Sequence, residues 1–352
     1  MSVLDERQKL ILALVIRDYI ETAQPVGSVG LVKRYGLEFS SATIRNEMVA
    51  LTEAGYLRQP HTSAGRVPTE EGYRYFVRQL MGHAELPLTT QRTIAHQFYQ
   101  ARQEVDQWMR LAASVLAHQS QAASLVTAPY PEKSRFKHVE LIAIHGRQVL
   151  MILVLSGGEV RQQMLMLAEP VTQEQLSAAA ANLNRFCEGL EASELSSLMV
   201  QLSALEQDVV KLSGAEMQRS GDVLGGEVYR DGLSNVLAEP EFAEAGAARR
   251  ALRVFEERSL LEDLLTRTVL TDAVGDVQVL IGGEGTWEEL RDCSMVLSRY
   301  GVPGLATGTL GVLGPIRMPY GRTISTVRFV SGLLSDLVEE MHVEQRGAGK
   351  EA

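Results

Sequence analysis

The chain has 352 residues, room for two or three domains of roughly 100–200 residues each. With 45% hydrophobic and 22% charged residues it is neither disordered nor fibrous; no apolar run approaches the roughly 18 residues of a membrane span, and the acidic opening MSVLDERQKL lacks the apolar region of a signal peptide. The net charge of −10 is uneven: residues 1–80 hold ten Lys+Arg against nine Asp+Glu, so the head is near neutral at +1 and the remainder carries −11. That distribution permits DNA binding by a locally arranged head without establishing it.

In chain order, Ile11, Leu14, Val15 and Tyr19 recur at helical spacing and predict a helix over residues 4–22. Pro25 cannot continue it. A short helix follows over Ser28–Tyr35 and stops at Gly36. Ser40 is placed to N-cap a third helix, with Ile44, Met48 and Leu51 inward, Ala42 and Asn46 outward and Thr43 and Arg45 flanking. Gly55 ends it. Leu57–Val67 then predicts a hairpin wing, and Pro68-Thr69-Glu70-Glu71 opens a fourth helix carrying Tyr73, Phe76, Val77 and Leu80. Helix-turn-helix followed by a wing is an arrangement that meets DNA, so residues 1–80 are expected to be a winged-helix DNA-binding domain.

Residues 81–90 form a polar linker. A long helical pattern with Val105, Trp108, Met109, Ala112, Val115 and Leu116 on one stripe follows it. HVELIAI, QVLMILVL and EVRQQMLML are strands separated by HGR and SGG turns, a pattern of an antiparallel meander. Residues 170–225 read as helical. VQVLIG, DCSMVLSRY and TGTLGVLGPIRM return to strand, and a last helix runs from about Thr323 to Met341. The fold class is therefore α+β and multidomain, with a discontinuous body, 91–169 and 226–345, interrupted by a helical insertion at 170–225.

Ser41, Ala42, Thr43, Arg45 and Asn46 are the candidate base readers. A small outward Ala42 allows close approach, and Arg and Asn suit bidentate contacts to guanine and adenine. On the wing, Arg58, His61, Thr62, Ser63 and Arg66 surround a flexible Gly65 and suit phosphate or minor-groove contact. Any capped helix and any solvated loop would share part of this pattern; their succession favours DNA. In the insertion, Leu198, Leu202, Leu205, Val209 and Leu212 follow a 4-3-4-3 seam of about two heptads, which fits either an ordinary core helix or a dimer interface. Cys187 and Cys293 form no CxxC, the seven histidines are scattered and IGGEGT lacks a phosphate-loop context. No nucleophile–base pair can be nominated. A cytoplasmic, non-enzymatic protein with free thiols, no metal and no cofactor is expected.

PVGS at 25–28, SSATIRNEM at 40–48, GYLRQPHTSAGRVPTEEGYRYFV at 55–77, GLSNVLAEPEF at 232–242 and GVLGPIRMPYGR at 311–322 resemble the HrcA family of heat-inducible transcription repressors. The resemblance runs over nearly the whole chain and is loosest over about 170–225. It implies a GAF-like antiparallel-sheet body carrying an inserted helical dimerisation domain. It also implies a homodimer on an inverted-repeat (CIRCE-type) double-stranded operator upstream of chaperone genes, kept active by a GroEL-type chaperonin that heat stress diverts, with no membrane role. Thr52-Glu53-Ala54 and Pro319 depart from the family pattern, away from the base-reading residues. Two other readings stay open: a repressor that senses a small molecule through the GAF-like domain, and a soluble enzyme or sensor whose winged helix contacts protein.

Overall fold

Helix α1 (Glu6–Thr22) opens on a capping box, Asp5 and Gln8 each satisfying the other's backbone N–H, and stops where Ala23 turns left-handed. The computed structural model describes residues 4–348 except 62–63, 83–84, 102–103, 132–134, 157–159, 168, 221–226, 269–272 and 283–285. Helix α2 (Ser28–Tyr35) ends at Gly36 with φ 59°, and α3 (Ser41–Glu53) starts at Ser40, whose hydroxyl accepts from the Thr43 amide. Strands β1 (Leu57–Arg58) and β2 (Val67–Pro68) pair antiparallel as the stem of the wing. Thr69 caps α4 (Glu70–Tyr75), which continues as a π-helical turn, Phe76–Leu80. Ile11, Leu12, Val15, Ile16, Leu31, Ile44 and Leu51 form the sealed centre of this head. Leu12 and Ile16 join the stripe expected on α1 because that helix packs both on α3 and on β2 and α4.

Next come α5 (Leu88–Gln100), which begins inside the expected linker, and α6 (Val105–Ser120). Strands β3 (Ala123–Thr127), β4 (Tyr130–Pro131), β5 (Phe136–His145), β6 (Gln148–Leu155) and β7 (Val160–Met166) precede α7 (Gln173–Cys187), α8 (Ala192–Leu195) and α9 (Ala204–Ser220). Strand β8 (Val228–Asp231), α10 (Leu233–Leu237), α11 (Ala245–Glu256), α12 (Arg258–Thr268), β9 (Val277–Ile281), β10 (Cys293–Val302), β11 (Ala306–Pro315) and α13 (Tyr320–Ala348) complete the chain. No helix among the described residues is long and apolar enough to cross a membrane.

Contacts divide the chain into two compact units. The first joins Met1–Ala128, Val228–Tyr300 and Thr309–Ala352. Its sheet runs β8-β3-β11-β10-β9, and α6 lies against both β3 and α13. Strands β3, β10 and β11 are buried at nearly every position, so they carry no alternation of polar and apolar residues. Their buried hydroxyls are matched: Ser294 Oγ meets Tyr320 Oη at 2.8 Å, and Ser298 Oγ meets Ser331 Oγ at 3.2 Å.

The second unit comprises Pro129–Glu227 and Gly301–Gly308. Within it the meander β5-β6-β7 forms a three-stranded sheet of its own. The meander does not extend the body sheet: its inner residues Val139, Leu141, Met151, Leu153 and Leu165 share one core with Leu176, Leu183 and Val210 of α7 and α9. The sequence-drawn boundary at 170 falls inside this unit. Asn184 of α7 grips edge strand β5 by both main-chain groups of Val139, at 2.7 and 3.0 Å.

The 4-3-4-3 seam needs correction as a continuous helical stripe. Leu198 lies in a 3-10 turn, Leu202 follows it and α9 starts only at Ala204, so the spacing was counted across a break. Leu202 and Val209 are buried, and Leu198, Leu205 and Leu212 are half-buried against the same core. The outer face of the sheet is different. Ile142 and Met164 flank Leu150 in register and are 39% and 54% exposed, with Val160 and Met166 also exposed.

Burial pushes the Cys187 thiol up to about 11, helped by the Glu206 carboxylate, and the Cys293 thiol up to about 12, helped by Asp292. Only the thiolate attacks disulfide reagents. Both thiols are therefore expected to stay silent toward a chromogenic disulfide at pH 8 and to react once urea unfolds the chain; rapid reaction in the folded state would contradict this burial.

Candidate nucleic-acid interface

Three pieces of the head converge on one concave surface of about 640 Å³: Val26–Val29 at the start of α2, Ser41, Ala42, Arg45 and Asn46 on α3, and Gln59 with Ala64–Arg66 on the wing. Ala42, Arg45 and Asn46 are exposed. Thr43 is not part of this surface. Its amide and its hydroxyl both engage Ser40 Oγ, at 3.1 and 2.9 Å, so it serves the cap.

The wing is fastened by an antiparallel bridge: the Val26 amide donates to the Arg66 carbonyl at 2.9 Å, and the Arg66 amide donates back to the Val26 carbonyl at 2.8 Å. Gly65 makes this approach possible, because a Cβ there would stand 2.3 Å from the Val26 carbonyl oxygen. Arg66 Nε donates to Thr52 Oγ1 at 3.0 Å, tying the wing to the end of α3. Arg66 thus has an anchoring role that its sequence position did not reveal. Gly65→Ala is expected to cost about 1–3 kcal/mol, since a hydrogen-bonded carbonyl must move. A lower urea midpoint together with weaker duplex binding checks it; an unchanged midpoint would refute the close approach.

Arg58 does not line this concavity. Alternate strand residues face opposite ways, and Arg58 lines a separate cleft with Tyr19, Glu241 and Arg317. Tyr19 there has its pKa raised first by burial and then by Glu241, with Arg58 and Arg317 opposing. His61 is exposed, and its carbonyl accepts from the Ala64 amide at 2.9 Å in the tip turn. Thr62 and Ser63 lie outside the described residues. Gln59 and the start of α2 were not among the expected contacts; Gln59 Nε2 donates to the Ala64 carbonyl at 3.1 Å across the tip. The PVGS block was a signal for the α2 entry, and Gly27 leaves that helix without a side-chain cap.

The near-neutral charge of the head resolves into paired and free cations. Arg7 pairs with Glu47, Lys9 with Glu6, Arg34 with Asp18 and Glu21, and Arg74 with Glu70 and Glu71. Arg45 makes no ion pair among the described residues, and it sits at the centre of the exposed face of α3. No cluster of three or more His, Cys, Asp or Glu that could hold a metal occurs among the described residues.

The family described as HrcA protein C terminal domain matches residues 106–324. A heat-inducible transcription repressor HrcA from Roseiflexus castenholzii is 45% identical over 347 residues, covering 96% of both chains. Its counterpart from Herpetosiphon aurantiacus is 44% identical over 350 residues, covering 97% of this chain and 98% of its own. A crystal structure of a hypothetical protein aligns over 96% of this chain and 99% of its own with a TM-score of 0.60 at 22% identity, a likeness of fold alone. That family consists of repressors, not enzymes. On its length of match and its identity, the chain belongs to the HrcA family of heat-inducible transcription repressors.

Proposed function

We propose that the protein is a cytoplasmic, homodimeric repressor whose heads read an inverted-repeat (CIRCE-type) operator upstream of chaperone genes. In this reading a GroEL-type chaperonin maintains its active form, and repression lapses when heat stress diverts the chaperonin. The observation carrying DNA recognition is the convergence of Ser41, Ala42, Arg45 and Asn46 with the wing stem and the α2 entry on one concavity, Arg45 having no ion pair among the described residues. A twofold dimer with one head per half-site calls for a palindromic operator.

Support for the dimer moves from the leucine seam to the outer face of β5-β6-β7. Ile142, Leu150 and Met164 make an apolar row there, the kind of surface a second copy covers. The same face, bare in a monomer, offers the apolar surface a chaperonin captures. The rest of the first unit, α6 and α13 on the sheet β8-β3-β11-β10-β9, is read as the GAF-like domain.

Fluorescence anisotropy of the purified protein on a chaperone-promoter inverted repeat and on a scrambled duplex tests the proposal. It is run at two salt concentrations, with and without chaperonin. The expected result is repeat-specific binding that weakens with salt and that chaperonin strengthens. Equal, weak binding to both duplexes by folded dimer would refute it.

A further inference from the structure

Three sequence blocks unused by the reading surface meet at one joint. The head contributes Tyr73 and Arg74 of α4, and the body contributes Glu239 and Glu241 around Pro240, together with Arg317 and Tyr320 at the β11–α13 junction. Arg74 Nη2 donates to the carbonyl of Ile281 at the end of β9 at 2.8 Å, across 207 positions of sequence. Arg317 pairs with Glu239 and Glu241, and its Nη1 reaches the carbonyl of Ile20, in the last turn of α1, at 3.5 Å. In the same joint the rings of Tyr73 and Tyr320 lie 6.0 Å apart at 52°. The Tyr320 hydroxyl is in turn held at Ser294 Oγ and donates to the Ile316 carbonyl at 2.6 Å.

These are not loose surface contacts. The Arg74 and Arg317 side chains are only 19% and 14% exposed. A guanidinium donates in a rigid planar fork, so a half-buried one with several partners defines a direction as well as an attraction. A head joined to its body only through the chain after Leu80 would sample many positions. Two such heads could then reach half-sites at many separations.

We infer that the joint is a positioning device: Arg74 and Arg317 lock each head on its own body, so that every copy carries α3 in one pose and a dimer reads half-site spacing as well as bases. This rests on the repressor reading above. Arg74 and Arg317 act through the pose of α3 and are positioning residues, not base contacts.

Operators with constant half-sites and a spacer lengthened or shortened by up to about five base pairs, half a helical turn, supply the readout. The full-length protein is expected to favour one spacing by about tenfold or more over a spacer altered by two or three base pairs, near 1.4 kcal/mol by the affinity relation. Arg74→Met is expected to compress that preference to within about threefold while leaving single half-site affinity within about twofold, since no base contact is removed. Arg74→Lys, which keeps a donor for the Ile281 carbonyl, is expected to retain most of the preference. Arg317→Met should behave like Arg74→Met; if it fails to fold, the Arg74 variants decide alone. A folded, dimeric Arg74→Met with the wild-type spacing profile overturns the inference, because a joint that merely stabilises would leave that profile intact. A wild-type protein indifferent to spacing overturns it as well. Failure of the wild type to distinguish any repeat from a scrambled duplex would instead overturn the repressor reading on which the inference stands.

Discussion

Met164→Asp is expected to leave the chain folded but monomeric. Its affinity for an inverted repeat should then fall by about 10²–10⁴-fold toward that for a single half-site, because the second head no longer binds intramolecularly. Met164 is 54% exposed on β7, directly beside Leu150, which is flanked on its other side by Ile142. In a monomer the new carboxylate stays in water, and a surface change of this kind stays within about 0.5 kcal/mol. In a dimer that covers the face it is desolvated without a partner, at a cost of several kcal/mol. Sedimentation and urea unfolding separate the two effects. A variant that remains dimeric at micromolar concentration would place the interface elsewhere, whereas a variant that loses its urea midpoint would make Met164 a core residue. Glu174→Gln, exposed in the first turn of α7, the helix packed on the sheet's inner side, serves as the control expected to change neither.

Arg45→Ala is the second large effect. Loss of about 1–3 kcal/mol, roughly 5–150-fold in affinity, is expected, together with relaxed preference at one base pair of each half-site. The side chain is exposed, pairs with no acid among the described residues and stands between Ala42 and Asn46 on the concave surface, so its removal leaves the fold untouched. Anisotropy against operators substituted one base pair at a time measures both effects. Equal losses on every sequence would make Arg45 a phosphate contact, and unchanged affinity would remove α3 from the reading role. Arg45→Lys should not restore the preference, since an ammonium has no bidentate fork.

Much of the head was legible because its signals are local. Ser40, Gly36 and Thr69 cap or stop helices through their own side chains or backbone freedom, and Ile44, Met48 and Leu51 keep a single helical face. What failed depended on partners. A two-residue strand such as β1 cannot be phased without β2 and its surroundings, so sequence groups Arg58 with the wing contacts, whereas it lines a cleft with Tyr19 and Glu241. Strand β3 has no alternation, being buried at all five positions, and left no period to detect. Alternation disclosed β5, β6 and β7 but not which sheet they join, because pairing such as Leu125 with Arg230 spans about a hundred residues. The heptad count over Leu198–Leu212 ran through Ser203, where one helical element ends and the next begins. The AEPEF and GPIRMPY blocks were recognisable only as words of a family. Their meaning, a carboxylate pair and the arginine it holds, appears once Glu239, Glu241 and Arg317 are in contact.

The order of synthesis gives the head–body joint a consequence in time. Arg317 meets a carbonyl 297 positions earlier in the chain, so its partner in the head is made long before it. At ribosomal speeds of about 5–20 residues per second, the head, finished near Leu80, is free to fold roughly 10–50 seconds before Arg317 exists. Once made, β3 waits for β8 and, through most of the interval, for β11, its two pairing partners. Distant pairings of this kind slow folding and lengthen exposure to aggregation. The time each new copy spends unfinished is thus set by its topology, by which strands must wait for which, and not by its composition.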